Sequence, residues 1–536
     1  MPPRAWHHLR VEALLLVVIL GATVLVGTTI GGRYSVAPPV LLIVAGTLLA
    51  LIPRLSHVTL PHEAVLLLFL PPILYYESLN VSLREIRANL RVIVLNAVLL
   101  VIATMVAISY ALQAVGVPAQ AAWILGAVLA PTDAAAVSGL AKRMPRRTLT
   151  TLRTESLIND GTALVLFAVA VGVPAGTAVP SPAILVGEFV WSFAGGILAG
   201  LGTGGVVVLI RRNLDDPLRE GGLSVLTPFV AFLLAELMHA SGVVAVVASG
   251  LVLAYAGPRV IRARSRFWTF AFWDLSTFLL NGSLFVLVGM QVPQAVRGID
   301  GGAVRHALLV AVTATVVAIL TRLLWMHVSA WVIRSLDRRA VQRTRRVTWR
   351  VRTAAGWAGF RGAVSLAAAL AVPATLPDGT AYADRDLIVF ATVTVIVVTI
   401  LVQGLTLPYV LRWAGLTGDE AREDETRQAR MQATRAALDA LPELARSMAA
   451  PPDMVQRIKA DYEGHLEELR AEGDEDGQAV RYERLEHELR LAVLQRKREA
   501  ITALRDRNKI DDYVLRDLQA FLDIEEIRLL GPISPD

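Results

Sequence analysis

The sequence predicts an all-α polytopic membrane protein, with about 13 transmembrane helices followed by a cytoplasmic helical tail. Three observations predict this class. Long apolar runs recur from residue 11 to residue 412, 54% of all residues are hydrophobic, and only 18% are charged. A membrane-spanning helix needs roughly 20 apolar residues, which is about the length of these runs. Cysteine is absent, so disulfides, thiolate metal sites and cysteine nucleophiles are excluded.

The loops between the apolar runs predict the topology. Loops that follow odd-numbered spans hold 23 Lys and Arg residues, whereas the N-terminus and the remaining loops hold six. Positive residues stay on the cytoplasmic side, so we expect the N-terminus outside and the C-terminus inside. The expected spans are 11–30, 38–53, 61–78, 90–115, 119–140, 148–173, 182–210, 222–239, 242–257, 270–292, 304–333, 354–375 and 386–412.

The composition changes after the last apolar run. The stretch VRYERLEHELRLAVLQRKREAITALRDR is charged and helix-prone, and its apolar residues recur at roughly helical spacing. We therefore expect a transmembrane domain over residues 1–412 and a cytoplasmic helical domain over residues 413–536. The tail carries no catalytic motif, which favours a regulatory or interaction role over chemistry.

The stretch TESLINDG brings polar side chains into the first half of an expected span: Glu155, Ser156, Asn159 and Asp160. If this helix begins near residue 148, Asp160 lies about 18 Å along it, close to the bilayer midplane. A charge at that depth costs at least ~2.5–3.5 kcal/mol on insertion scales. Asp160 must therefore face a cavity or a partner rather than lipid.

Helical spacing sorts these side chains into two pairs. Ser156 and Asp160 are four residues apart and share a face, so a hydroxyl and a carboxylate can bind one hard cation through oxygen. Glu155 and Asn159 share a different face, and Glu155 needs a separate partner. The alternative is a buried polar network that only holds helices together.

A second polar group interrupts the span that contains ILGAVLAPTDAAAVSGLA. Pro131 cannot continue the helical hydrogen-bond ladder, and Thr132 and Asp133 follow it directly. This pattern predicts a helix broken inside the membrane, which is tolerated only where the backbone lines a protein cavity. Thr132 then offers a hydroxyl and a carbonyl to an ion, and Asp133 can cap an exposed helix N-terminus. The alternative is a simple proline kink.

A third group lies in AAGWAGFRGAVSLAAALAVPA, where glycines flank Phe360 and Arg361. An arginine inside a span needs an anion, and we expect Glu155 to be its partner in a buried ion pair. The interrupted segments fall in the fifth and the twelfth expected spans. These positions correspond if spans 1–6 and 8–13 are inverted repeats, and paired broken segments point to a transport site at the midplane.

Other intramembrane charges give weaker indications. Glu236 and Arg322 are expected to form either a structural ion pair or a gate, and Glu77 is expected near the cytoplasmic interface. The histidines show no metal-ligand spacing, so no metal or other cofactor is expected. The positions of the arginines indicate membrane topology rather than nucleic acid binding.

Four blocks, in this order, resemble the monovalent cation:proton antiporter family, the sodium/proton exchanger group, and in particular its bacterial plasma-membrane branch. They are APTDAAAVSGL, TESLINDGTALVLF, AELMHASGVVAVVASGLVL and GFRGAVSLAAAL. The resemblance covers most of residues 10–412, and the tail YVLRDLQAFLDIEEIRLL is a softer match. It implies thirteen helices, a homodimer, and a core domain that moves against a dimerisation domain.

The resemblance also implies roles for individual residues. Asp160 would carry the transported ion or proton, with Ser156 and Thr132 as ligands, and Glu155 and Arg361 would pair structurally. Asn159 corresponds to the position that is a second Asp in electrogenic relatives.

The residues themselves support the same mechanism, because one midplane carboxylate can hold a proton or a monovalent cation but not both. With Asn159 neutral, exchange is expected to be one-for-one and electroneutral. The oxygen ligands suit Na⁺ or Li⁺, and a potassium:proton antiporter is the alternative. A channel and a membrane enzyme find no supporting motif. A sensor whose tail is the functional part is a further alternative, which Na⁺ movement coupled to a pH jump in proteoliposomes would distinguish from an antiporter. The expected partners are thus Na⁺, H⁺, membrane lipid and a second copy of the chain.

Overall fold

We analysed the protein in a computed structural model. The structure describes residues 3–34, 36–53, 55, 65–81, 83–133, 146–172, 182–299, 301–336, 347–375, 382–416, 420–471, 478–507 and 509–530. The chain divides into two compact units, Met1–Gly418 and Asp419–Asp536.

The first unit is built from helices. Their bounds are α1 Pro3–Tyr34, α2 Pro38–Leu49, α3 Leu70–Leu79, α4 Leu83–Val94, α5 Val101–Ala114, α6 Ala119–Leu129, α7 Arg146–Gly172, α8 Pro182–Arg211, α9 Pro217–Leu237, α10 Gly242–Val260, α11 Ala263–Arg297, α12 Val304–Leu336, α13 Trp349–Trp357, α14 Ala363–Leu370, α15 Arg385–Val398 and α16 Gly404–Trp413. Three π-helical turns interrupt this pattern. Val65–Phe69 precedes α3, Leu95–Leu100 joins α4 to α5, and Thr399–Gln403 joins α15 to α16.

The prediction of an all-helical polytopic membrane protein is confirmed. Within the described residues, nine helices are long and apolar enough to cross a bilayer, and three shorter apolar helices accompany them. The remaining expected span, 354–375, is divided between α13 and α14. A clear boundary difference is in α11, which has 35 residues where the sequence predicted 270–292. At 1.5 Å per residue, α11 is about 52 Å long, so its arginine-rich start lies beyond the apolar core of the bilayer.

The helices of the first unit pack as two bundles. One bundle combines α4, α5, α6 and α7 with α12, α13, α14, α15 and α16, and the other combines α1, α2 and α3 with α8, α9, α10 and α11. The bundles meet where α7 contacts α3, α8 and α10, and where α11 contacts α14 and α15. We call them the ion bundle and the scaffold bundle.

Glycines allow close packing inside the scaffold bundle. In α8, Gly196, Gly200 and Gly204 recur every four residues on the face that meets α10. A Cβ at Gly196 would lie 2.7 Å from the Ser241 carbonyl oxygen, and one at Gly200 would collide with the Ala245 carbonyl. Small residues at this spacing let two membrane helices approach to backbone contact.

The second unit contains α17 Glu420–Ser447, α18 Pro452–Ala471, α19 Gln478–Asp506 and α20 Asp512–Leu530. They pack as two hairpins, α17 with α18 and α19 with α20. Arg498 of α19 forms ion pairs with Asp523 and Glu526 of α20, which fix the register of the second hairpin.

We predict that Gly200→Ala lowers the thermal stability of the purified protein. The added methyl group meets backbone and the Ala248 side chain at 2.6 Å, and overpacking of this kind typically costs about 1–3 kcal/mol. Gly202→Ala is the matched control, because a Cβ there meets no atom within 4 Å. Melting curves in detergent compare the two variants. Equal melting temperatures would show that α8 and α10 do not need this contact.

Candidate ion-binding site

The two interrupted segments meet each other in the ion bundle. Helix α6 ends at Leu129, and α13 ends at Trp357 before α14 begins at Ala363. The backbone N–H of Asp133 donates to the Phe360 carbonyl at 2.9 Å, and Arg361 Nη1 donates to the Pro131 carbonyl at 2.9 Å. Each break therefore satisfies backbone groups of the other, as buried non-helical backbone requires.

Two glycines of GFRG make room for charged side chains. A Cβ at Gly359 would collide with the Arg322 side chain, and a Cβ at Gly362 would collide with the Asp133 carboxylate. Gly362 is also the residue that precedes the first turn of α14. Asp133 therefore lies at the N-terminus of α14, where the helix dipole favours a negative charge.

Helix α7 carries the TESLINDG residues into the middle of the ion bundle. Glu155, Ser156, Asn159 and Asp160 are all at most 6% exposed. Asp160 lies fourteen residues after the first residue of α7, about 21 Å along the helix. Ser156 and Asp160 share one face, as their spacing predicts.

Thr132, which lies in the interrupted segment after α6 (the first break), is hydrogen-bonded to α7. Asn159 Nδ2 donates to Thr132 Oγ1 at 2.9 Å, and Arg322 Nη1 reaches the same oxygen at 3.3 Å. Since a hydroxyl oxygen has two lone pairs, both are used by these donors. The Thr132 carbonyl accepts only a 3.4 Å bond from Asn159, so it is the better ion ligand of the two oxygens.

The predicted ion pair between Glu155 and Arg361 is wrong. Glu155 Oε1 pairs with Arg322 Nη1 at 2.5 Å, and Glu155 Oε2 accepts from Asn96 Nδ2 at 3.0 Å. Arg322 replaces Arg361 because it enters from α12 through the space that Gly359 leaves. Sequence order alone could not show that α12, and not the second break, faces Glu155.

Arg361 and Glu236 also differ from expectation. Arg361 is 2% exposed and is held by the Pro131 carbonyl, while its backbone N–H donates to Thr399 Oγ1 at 3.4 Å. Thr399 begins the π-helical turn between α15 and α16.

Glu236 is exposed on α9, so the proposed pair or gate between Glu236 and Arg322 is wrong.

Glu77 is a residue whose importance the sequence did not reveal. It lies on α3 of the scaffold bundle and is only partly exposed. Its carboxylate is within electrostatic range of both Asp133 and Asp160. Three carboxylates, one on α3, one on α7 and one in the first break, thus act electrostatically on one another at the boundary of the two bundles. The available signal was the position of Glu77 six residues after Pro71, inside an apolar run.

The arrangement defines a class of protein. Interrupted helices that cross beside buried carboxylates, at the boundary between two bundles, are the site architecture of a secondary transporter. The family model described as sodium/hydrogen exchanger, transmembrane, matches residues 19–413. The chain belongs to this sodium/hydrogen exchanger family.

Individual relatives agree with this assignment. The Na(+)/H(+) exchanger Rv2287 of Mycobacterium tuberculosis is 54% identical over 530 residues, which cover 98% of each chain. The Na(+)/H(+) antiporter ApNhaP of Aphanothece halophytica is 32% identical over 78% of this chain and 77% of its own length. The solved structure of the sodium proton antiporter MjNhaP1 from Methanocaldococcus jannaschii shares the fold, with a TM-score of 0.57. It is 20% identical and covers 75% of this chain and 98% of its own.

We predict that Glu155 and Arg322 are energetically coupled. Removing one partner strands the other charge in the protein interior, which costs about 3–5 kcal/mol. Glu155→Gln and Arg322→Met should each lower membrane yield and melting temperature, and the double variant should lose less than the sum. Glu155→Gln combined with Gly200→Ala is the control, because Gly200 contacts α10 and none of the groups that hold Glu155, so these two losses should add. Additive losses for Glu155 with Arg322 would contradict the pairing.

Proposed function

We propose that the protein exchanges Na⁺ for H⁺ across the membrane by alternating access. The observation that carries this proposal is Asp160, a carboxylate that is 6% exposed and lies midway along α7, beside the crossing of the two interrupted segments. A carboxylate in this position is expensive to maintain and is expected to be functional.

Competition for Asp160 couples the two ions. A bound proton neutralises the carboxylate and removes its attraction for a cation, while a bound cation stabilises the ionised form and releases the proton. The site carries no buried net charge only when Asp160 holds a proton or a cation. The carrier therefore crosses with a proton or with a cation, which produces antiport.

The proposed ligands are oxygen atoms, as hard monovalent cations prefer. Asp160 supplies the charge, Ser156 a hydroxyl and Thr132 a carbonyl. Asp133 and Asn159 border the site, and Asn159 Oδ1 is buried without a hydrogen-bond partner among the described residues. These oxygens support Na⁺ as the cation. Li⁺ and K⁺ serve as comparison ions in the tests below.

The packing of α7 supports a movement of the ion bundle against the scaffold bundle. Next to Asp160, the absence of a side chain at Gly161 lets α7 approach α10, since a Cβ there would lie 2.8 Å from Val244 Cγ2. At Gly161 the Val244 side chain of α10 packs directly on the backbone of α7, because no α7 side chain lies between them. We propose that α7 moves past α10 at this contact and exposes Asp160 first on one side and then on the other.

We also propose a location and an assembly. The bacterial relatives support a plasma-membrane location, and the distribution of Lys and Arg supports a C-terminus in the cytoplasm. The second unit then lies on the cytoplasmic side and regulates exchange. The family resemblance supports a homodimer, and a role in pH and sodium homeostasis follows from the exchange reaction.

We predict that Asp160→Asn abolishes exchange and leaves the fold intact. The amide preserves the shape of the side chain but can neither ionise nor balance a cation. Cation-induced dissipation of a pH gradient in everted vesicles measures the activity with Na⁺, Li⁺ and K⁺. Glu236→Gln, which removes an exposed carboxylate on α9, is the control and should retain activity. Near wild-type exchange by a folded Asp160→Asn protein would remove Asp160 from the mechanism.

We predict that exchange is insensitive to membrane potential, because Asn159 cannot ionise. Na⁺/H⁺ exchange in proteoliposomes, with the potential clamped by K⁺ and valinomycin, tests this directly. A different clamp is needed if K⁺ proves to be transported. Asn159→Asp is the comparison variant, since it adds a second carboxylate beside Asp160. A wild-type end-point that follows the imposed potential would require a second titrating group, with Glu77 and Asp133 as the first candidates.

A further inference from the structure

The side chain of Arg350 lies in a corner formed by two tryptophan rings, where α13 begins and α16 ends. The rings of Trp349 and Trp413 meet edge to face, with centroids 5.2 Å apart and planes at 77°. The Arg350 guanidinium carbon is 5.8 Å from the Trp349 centroid and 5.7 Å from the Trp413 centroid. Both distances are within the range of a cation–π interaction. The rings therefore position the guanidinium, although all three side chains are exposed.

Further positive charge lies beside this corner. Arg334, near the end of α12, donates from Nη2 to the Val347 carbonyl at 3.0 Å, just before α13 begins. The guanidinium of Arg412 lies over the Tyr409 ring at 4.8 Å, and Arg412 directly precedes Trp413. Helices α12, α13 and α16 contain no Asp or Glu. The anion that balances these arginines therefore does not come from the helices that carry them.

An apolar surface leads away from the arginines along α16. Leu405, Tyr409 and Trp413 are exposed and recur every four residues, so they lie on one side of the helix. They extend about 12 Å along its axis, close to the ~15 Å hydrocarbon depth of one leaflet. Helix α16 is the last part of Arg385–Trp413, a segment long and apolar enough to cross a bilayer. Trp413 ends this segment, and tryptophan is enriched at the membrane–water interface.

We infer that the corner of Trp349, Arg350 and Trp413 binds the phosphate of an anionic phospholipid in the cytoplasmic leaflet. A guanidinium that lies over aromatic faces keeps the N–H groups at its edge free, and these donate in pairs to phosphate oxygens. The acyl chains then lie on the exposed apolar side of α16, which a soluble anion would not use. This binding site goes beyond the proposed exchange of ions, and only the choice of leaflet depends on the proposed topology.

The bound lipid stabilises the half-helix that leads into the second break. Helix α13 has nine residues, and the break follows it directly at residues 358–362. The end of α13 next to the break is already attached to α16, because Trp357 Nε1 donates to Thr406 Oγ1 at 2.9 Å. A phosphate bound at Arg350 adds an attachment at the opposite end. We therefore expect anionic phospholipid to raise the melting temperature of the protein.

The test measures thermal unfolding of the purified full-length protein in detergent, with increasing amounts of phosphatidylglycerol or phosphatidylcholine. Arg350→Gln removes an exposed charge and is expected to leave the fold intact. Arg259→Gln is the matched control, because Arg259 lies over an exposed ring, Tyr255, at 5.7 Å but on α10 of the scaffold bundle. Inorganic phosphate tests whether a soluble anion is sufficient. This measurement does not depend on ion exchange.

We expect phosphatidylglycerol to raise the melting temperature of the wild type, and phosphatidylcholine and inorganic phosphate to leave it unchanged. Arg350→Gln should raise the half-stabilising concentration of phosphatidylglycerol about fivefold, the usual contribution of one arginine near an anionic membrane surface. Arg259→Gln should leave that concentration near the wild-type value.

Three results would overturn the inference. Arg350→Gln could respond to phosphatidylglycerol as the wild type does, which would show that the arginine serves a partner within the chain or none. Arg259→Gln could weaken the response equally, which would show a general effect of net charge. Inorganic phosphate could stabilise the wild type as phosphatidylglycerol does, which would show that the site binds a soluble anion.

Discussion

The buried pair of Glu155 and Arg322 is the interaction on which the rest of the site depends. Arg322 Nη1 lies 2.5 Å from Glu155 and 3.3 Å from Thr132 Oγ1, so one guanidinium joins α7, α12 and the first break. Asn96 holds the second carboxylate oxygen and itself accepts from Trp325 Nε1 at 3.1 Å. Such a pair is weak evidence of stability, because desolvation offsets the attraction, but it specifies one arrangement of the helices. The Thr132 carbonyl is thereby held against Asn159, the residue that precedes Asp160.

The two breaks depend on each other in the same way. Helix α6 ends before Pro131, so the Pro131 carbonyl has no helical partner. It would be unsatisfied in lipid if Arg361 did not donate to it. In the second break, the Phe360 carbonyl in turn accepts a hydrogen bond from the backbone N–H of Asp133. Gly359 and Gly362 permit this approach because side chains there would displace Arg322 and Asp133. The polar backbone at the centre of the membrane is therefore a shared structure, which explains why both interruptions are present in one chain.

Much of this could be predicted from the sequence, since hydropathy determines where spans lie and Pro131 and the GFRG glycines mark the breaks. The grouping of Ser156 with Asp160 follows from helical spacing alone. What could not be predicted was partnership across helices. Local periodicity does not say which arginine faces Glu155, so Arg322 was assigned to Glu236 and Arg361 to Glu155. The sequence alone places Glu77 near the interface, because its electrostatic interaction with Asp133 and Asp160 arises only when α3 packs beside α7. The change in composition after Trp413 coincides with the end of α16.

The π-helical turns have a consequence for how the chain can vary. A π-helical turn contains one residue more than the α-helical turn it replaces, and such turns are frequent at functional sites. Leu95–Leu100 holds Asn96, which binds Glu155, and Thr399–Gln403 holds Thr399, which accepts from the Arg361 backbone. Loss of one residue from either turn would restore a continuous α-helix, so hydropathy would not reveal the change. Yet the widened turn that presents Asn96 to Glu155, or Thr399 to the Arg361 backbone, would be lost, while the α-helical segments on its two sides would stay in phase with each other. Single-residue deletions in these two turns would therefore preserve membrane insertion while dismantling the ion site, whereas apolar substitutions at lipid-facing positions would leave both intact.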